Sequence, residues 1–240
     1  TVLATWNQGG GQTMYRLDAG AESPVDWRAD RLRLVNGRHC ISGSGTVAIL
    51  PDGDRFVVGL NGLPDYGGSG AGLYRLSDAV SSEAGHLGEQ YGFYAMRAEA
   101  PRVVLPGRDQ NIVHILSHES RLPATLTDTV KSQAANLHTV DTRTMAAPIS
   151  TIRLPNIVVD DPPGAGLREA GIHATVQHGN IGYATMLPDG DPRLGGPGGS
   201  FVAVSRWGVP ELAIVFVRTG HVRITRLASD LPVVSGVAAN

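Results

Sequence analysis

His114 and His118 are the two side chains whose type and spacing best suit chemistry in this sequence. They lie four residues apart in a predicted β-strand, and even spacing places both on one face of a strand. Two imidazoles on one face bind a metal ion when a third ligand reaches them. Ordinary polar strand positions show the same spacing and no third ligand is evident, so the sequence predicts no metal and no other cofactor.

Acidic residues suggest a different chemistry, because a glycoside hydrolase needs two carboxylates at a fixed separation. Five carboxylates are candidates for such a pair: Asp26, Asp65, Asp160, Asp161 and Glu169. Sequence spacing alone brings no two of them together. The aspartates of the two Leu-Pro-Asp-Gly-Asp segments, at 50–54 and 187–191, are better explained as turn residues that accept bonds from their own backbone.

The glycine-rich run at 67–72 invites a phosphate-binding interpretation, but no lysine of a phosphate loop follows it. We interpret it as part of a loop. Three long predicted loops, Leu60–Gly72, Arg121–Ala135 and Asp189–Ser200, are expected to form a contact surface. The residues expected to make those contacts are Asp65, Tyr66, Arg121, Asp189 and Arg193.

The composition of the chain predicts the class of fold that positions these residues. The chain has 240 residues, 42% of them hydrophobic, with 31 glycines and 15 prolines that fall in short clusters between apolar runs. Many short strands joined by turns use glycine and proline in this way, so we predict an all-β fold with few or no helices. A net charge of −2 argues against a nucleic-acid partner. Cys40 is the only cysteine, which excludes an intrachain disulfide.

A loose repeat organises these strands. Turn signals lie near residues 9, 52, 107 and 189, and the hairpin pattern of 136–155 supplies a further unit within the widest gap. Spacings of roughly 40 to 55 residues suit four-stranded blades. We therefore predict a single domain, residues 1–240, folded as a small β-propeller of about five four-stranded antiparallel blades. Pairing of Val2–Trp6 with Val222–Leu227 is expected to close the ring.

A family resemblance rests on two of these segments. Residues 136–144, Asn-Leu-His-Thr-Val-Asp-Thr-Arg-Thr, run on to a strand ending in Leu154-Pro155. This stretch resembles the strand-turn-strand of YVTN and WD40-like β-propeller repeats, and Val2–Asp18 resembles the hairpin that precedes it there. Propeller lactonases and methylamine-dehydrogenase heavy chains are similar. The resemblance implies a propeller fold and an extracytoplasmic setting, periplasmic or secreted.

Three functions follow from this pattern. The first is a non-catalytic interaction or assembly module, an accessory subunit or scaffold with a protein partner in a larger complex. The alternative is a carbohydrate-active or lactonase-like enzyme, and the third is a sugar-binding lectin. The sequence shows no signal peptide, and no apolar run is long enough for a membrane-spanning helix. Association with a membrane complex through the partner stays open.

Overall fold

The computed structural model describes residues 2–8, 11–18, 20, 28–35, 47–63, 68–80, 86–96, 99–119, 135–154, 184–187, 201–205 and 211–226. Strands make up most of this part of the chain and it contains almost no helix, which confirms the predicted all-β class. The strands are β1 (Val2–Gln8), β2 (Gly11–Asp18), β3 (Arg28–Leu32), β4 (Val47–Ile49), β5 (Arg55–Leu63), β6 (Gly68–Arg75), β7 (Gly92–Met96), β8 (Glu99–Pro106), β9 (Ile112–Glu119), β10 (Ala135–Asp141), β11 (Pro148–Leu154), β12 (Ala184–Leu187), β13 (Phe201–Ser205), β14 (Glu211–Phe216) and β15 (His221–Arg226).

One short helix, α1 (Leu76–Ala79), follows β6. No helix in the described ranges is long and apolar enough to cross a membrane. The chain divides into two compact units. The first comprises residues 1–117 with 138–151, and the second comprises 118–137 with 152–240.

The strands form four meander sheets, in which each strand pairs with its neighbour along the chain. The sheet orders are β1-β2-β3, β4-β5-β6-β7, β11-β10-β9-β8 and β12-β13-β14-β15. Where the connection is short, as between β14 and β15, a tight turn returns the chain beside the strand it has just left. In the turn between these two strands, Gly220 adopts a φ of 73° and its N–H donates to the Phe216 carbonyl oxygen at 2.9 Å.

Two details of the predicted repeat are wrong. The hairpin of 136–155 is not a unit of its own, since β10 and β11 complete the sheet begun by β8 and β9. Its apolar side chains share one core with that hairpin, where Val140 lies with Val113 and Ile115. The predicted closing strands also belong to different sheets: β1 is an edge of the first and β15 an edge of the last. The five-bladed closed ring remains a prediction.

The predicted loop at 67–72 is also wrong, because β6 runs through it between β5 and β7. Aromatic rings occupy the space that side chains would fill. A Cβ on Gly70 would lie 2.3 Å from Cζ of Phe93, and one on Gly72 would lie 2.8 Å from Cε2 of Tyr74. This packing offsets the weakness of glycine in a strand. The predicted contact loop Leu60–Gly72 is therefore mostly strand.

The core of the first unit lies on both faces of the β4–β7 sheet. Consecutive residues of β5 are fully buried, and consecutive strand residues point to opposite faces. Phe56 and Val58 pack with Met14 and residues of β3, whereas Val57 packs in the cluster that contains Ile115. The sheet is thus buried between its two neighbours along the chain, as stacked sheets require.

In the second unit, the consecutive residues Ala213, Ile214 and Val215 of β14 are buried. Such a run of buried apolar residues is typical of a strand covered on both faces.

Candidate functional site

The described ranges contain only part of the predicted site. His114 and His118 lie on the same strand, β9, as predicted. The side chain of His118 is not among the side chains that the structure describes. The expected contact residues Asp65, Tyr66, Arg121, Asp189 and Arg193 also lie outside the described residues, as do the carboxylates Asp26, Asp160, Asp161 and Glu169. Within the described ranges, no group of three or more His, Cys, Asp or Glu side chains could hold a metal ion.

His114 is a buried histidine that pairs with a single hydroxyl. Only 2% of it is exposed, and Nδ1 lies 3.1 Å from Oγ1 of Thr139 on β10. Burial lowers the pKa of His114 to about 4, because a charged imidazolium is poorly solvated in the interior. The side chain is therefore neutral at pH 7.

A second buried histidine, His138 on β10, is the centre of a larger polar cluster that the sequence did not predict. Its Nε2 lies 2.7 Å from Oε2 of Glu99 on β8 and 3.1 Å from Oγ of Ser117 on β9. Its Nδ1 lies 3.1 Å from the hydroxyls of Tyr94 on β7 and Thr151 on β11. We call these five residues the His138 cluster. The signal in the sequence that could have predicted this cluster is the presence of polar residues, such as Ser117 and His138, within apolar strands.

The His138 cluster contains the residue types of a serine hydrolase, but not their arrangement. A catalytic histidine bonds the serine through one ring nitrogen and the acid through the other. Here Ser117 and Glu99 both lie on the Nε2 side, and the Ser117 hydroxyl donates to Glu99 Oε2. Ser117 has no exposed surface. The cluster thus satisfies buried polar groups and joins strands, as buried networks commonly do.

Burial and the charge of Glu99 raise the pKa of Tyr94 to about 12. The phenol therefore keeps its proton at all physiological pH values and remains available as a hydrogen-bond donor. Because β7 belongs to the β4–β7 sheet, the bond from Tyr94 to His138 also joins two sheets.

A second polar arrangement gathers three turns of the first unit around Arg55. The guanidinium pairs with Asp52 in its own turn and donates to the Gln110 carbonyl oxygen at 2.9 Å. It also donates to Asn111 Oδ1 at 3.2 Å and to Thr142 Oγ1 at 3.5 Å. The turns that follow β4, β8 and β10 are thereby held together. We call them the Arg55 turns.

Each of these turns is also fixed locally. Asp52 accepts bonds from the backbone N–H groups of Asp54 and Arg55, at 3.1 and 2.9 Å, which confirms its predicted role as a turn residue. Asp141 accepts the N–H of Arg143 at 2.9 Å, and the Arg143 guanidinium lowers the pKa of Asp141 to about 2. The positions of the exposed side chains on these turns are therefore well defined.

Replacing Arg55 with methionine tests the contribution of the shared contacts. We expect a loss of about 2 kcal/mol in the free energy of unfolding, because several bonds from one charged group are lost together. Arg143→Met is the matched control, since 67% of its side chain is exposed and its partner Asp141 is two residues away. Urea unfolding should show a change below about 0.5 kcal/mol for this control. Equal losses of unfolding free energy in the two variants would show that the contacts of Arg55 with three turns stabilise the fold no more than one exposed ion pair does.

Fold and site together define an all-β protein of antiparallel meander sheets with a buried polar cluster. No family model matches the chain, and no curated protein matches it. Among solved structures, it is similar to the Pyrococcus horikoshii acylaminoacyl peptidase (orthorhombic crystal form), with 11% sequence identity and a TM-score of 0.41. The match covers 97% of this chain and 32% of that chain, so this chain spans about a third of the peptidase's length.

Proposed function

We propose that the chain is a non-catalytic, β-propeller-like interaction module that binds a protein partner through the Arg55 turns. One observation carries the proposal: a single arginine holds three turns from two sheets as one surface. That surface presents exposed charged and polar residues, among them Arg108, Asp109, Gln110 and Arg143. A module fixed before binding loses less conformational freedom when it meets its partner, which favours affinity.

The role as an accessory subunit and the extracytoplasmic setting belong to the same proposal. Their support is the propeller-repeat resemblance of 136–155, whose hairpin contributes one of the Arg55 turns. The five predicted contact residues and the remaining predicted loops extend the proposal to parts of the chain outside the described ranges.

Replacing two exposed arginines of this surface, Arg108 and Arg143, with alanine tests the proposal. The full chain is tagged and isolated from its source organism, and its assemblies are measured by native mass spectrometry. We expect a defined complex with a second protein, and about tenfold weaker binding for Arg108→Ala/Arg143→Ala, because arginines commonly contribute strongly to interfaces. The matched control is Arg153→Ala/Arg223→Ala, which removes two exposed strand arginines.

The thermal midpoint of both double variants should stay near that of the unchanged protein, since all four side chains are exposed. A protein that is only a monomer in its source organism would refute the proposal. Equal loss of the partner in both double variants would place the contact elsewhere.

A carbohydrate-active or lactonase-like enzyme is the second candidate, and Glu99 is the observation that favours it. This carboxylate has 21% of its side chain exposed and lies beside His138, so it is both reachable and paired with a base. Turnover in a panel of sugars and lactones that disappears in Glu99→Gln would favour the enzyme over the module. Absence of turnover in the unchanged protein would remove this support.

A further inference from the structure

His138 contacts groups on four other strands. These are Tyr94 of β7, Glu99 of β8, Ser117 of β9 and Thr151 of β11. The contact with Tyr94 is also a ring contact, with centroids 5.8 Å apart. Because β7 ends the β4–β7 sheet and the other strands form the next one, His138 joins the two sheets at a buried point.

The two sides of the imidazole differ in what they can accept. Nδ1 faces two hydroxyls, and a hydroxyl either donates or accepts a hydrogen bond. Either hydroxyl can therefore donate to Nδ1 or accept from it. Nε2 faces Glu99 Oε2, which also receives the Ser117 hydroxyl. Only the ionised carboxylate accepts both bonds fully, so the cluster depends on the charge of Glu99.

We propose that Glu99 and His138 form an acid-sensitive latch that fastens β7 to the sheet β8–β11. On acidification, a hydronium ion transfers its proton to the Glu99 carboxylate, whose side chain is 21% exposed, and is left as water. The resulting acid is a poor acceptor for Ser117 and His138, and His138 loses the group that orients it towards Tyr94. The bond between the two sheets then opens.

The latch deepens the proposed function, on which its regulatory meaning rests. His138 lies three residues before Asp141, where β10 enters one of the Arg55 turns. Opening the latch therefore loosens the strand that carries part of the proposed binding surface. Partner binding is expected to weaken over the same pH range.

The described charged and titratable side chains around His138 do not replace Glu99 in this role. On the neighbouring strands they are Tyr94, Glu99, Arg102, His114, Asp141 and Arg153, whereas the side chains of His118 and Glu119 at the end of β9 lie outside the described residues. Of these, Tyr94 and Glu99 contact His138. His114 bonds to Thr139 instead, which makes it a suitable control histidine.

Hydrogen exchange of the full chain tests the latch without a partner. Protection factors, which remove the intrinsic effect of pH on exchange, are measured for the β7 amides between pH 7 and pH 3, below the ordinary glutamate pKa of about 4.3. The β5 amides of the same sheet and the same unit serve as the reference, because a general loss of stability affects both strands alike. We expect β7 protection to fall about tenfold more than β5 protection, because a local opening precedes global unfolding. Glu99→Gln, which mimics the protonated state, should show the low β7 protection already at pH 7.

His114→Gln should keep the larger acid-dependent fall of β7 protection relative to β5, although its overall stability changes less with pH. If Glu99→Gln keeps the same change as the unchanged protein, the latch is refuted. If Glu99→Gln does not fold, Tyr94→Phe replaces it, since this variant keeps the ring and loses only the bond to His138. Tyr94→Phe should lower β7 protection at pH 7, and unchanged protection would overturn the proposal. These readouts are independent of whether a partner exists, so either proposal can fail alone.

Discussion

Gly70→Ala is expected to destabilise the protein by about 3 kcal/mol, a cost at the upper end for overfilling a packed interior. The added Cβ would lie 2.3 Å from Cζ of Phe93 and 2.4 Å from the carbonyl oxygen of Tyr94. The phenylalanine ring can turn aside, but the carbonyl oxygen belongs to β7, which is paired with β6 at this point. For a chain of this size, the melting temperature should fall by about 10 °C in a thermal scan.

Gly53→Ala is the control for Gly70→Ala. Gly53 has a φ of 79°, but nothing lies within 4 Å of the position of its Cβ. Only backbone strain opposes this substitution, so a loss of about 1 kcal/mol is expected. If Gly70→Ala costs no more than Gly53→Ala, the packing of Phe93 against β6 is wrong.

Acidification is expected to cost the protein about 3 kcal/mol through His114 alone. In the unfolded chain, histidine gains a proton near its ordinary pKa of about 6.5. In the folded protein, burial lowers the pKa of His114 to about 4. Between these two values, the unfolded state binds more protons than the folded state, so stability falls as the pH falls. Above pH 6.5 both states are neutral, and His114 contributes no pH dependence.

Chemical unfolding of the unchanged protein and His114→Gln at pH 7, 5.5 and 4 measures this contribution. The variant should be less stable at pH 7, because it loses the packing of the imidazole. Its further loss between pH 7 and pH 4 should be smaller by about 3 kcal/mol, since all other titrating groups are shared. Parallel pH profiles would show that His114 takes up its proton without cost.

Local patterns in the sequence predicted the local structure. The Pro-Asp-Gly turn and the all-β class follow from residue types that act within a few positions of one another. The loop prediction at 67–72 failed because the rings that fill the space beside its glycines come from β7 and from Tyr74. Intrinsic glycine preference carries no information about such packing.

The candidate site was predicted less well for the same reason. The bonds from His138 reach residues 39 positions earlier at Glu99 and 44 positions earlier at Tyr94. Spacing along one strand predicted a candidate site at His114 and His118, whereas the His138 cluster forms from residues of five different strands. The sequence also did not predict that β10 and β11 belong to the same sheet as β8 and β9. A long segment separates β9 from β10, so no turn signal indicates that these two strands pair.

The Arg55 contacts also bear on the order in which the chain folds. Arg55 bonds to residues 56 and 87 positions further along the chain, at Asn111 and Thr142. Contacts between such distant positions close large loops, and their entropic cost is met only after the intervening hairpins have formed. Each hairpin can therefore form early from local contacts, whereas the three turns come together in a late step. During synthesis, Arg55 therefore cannot complete its contacts until Thr142, its last partner, has left the ribosome.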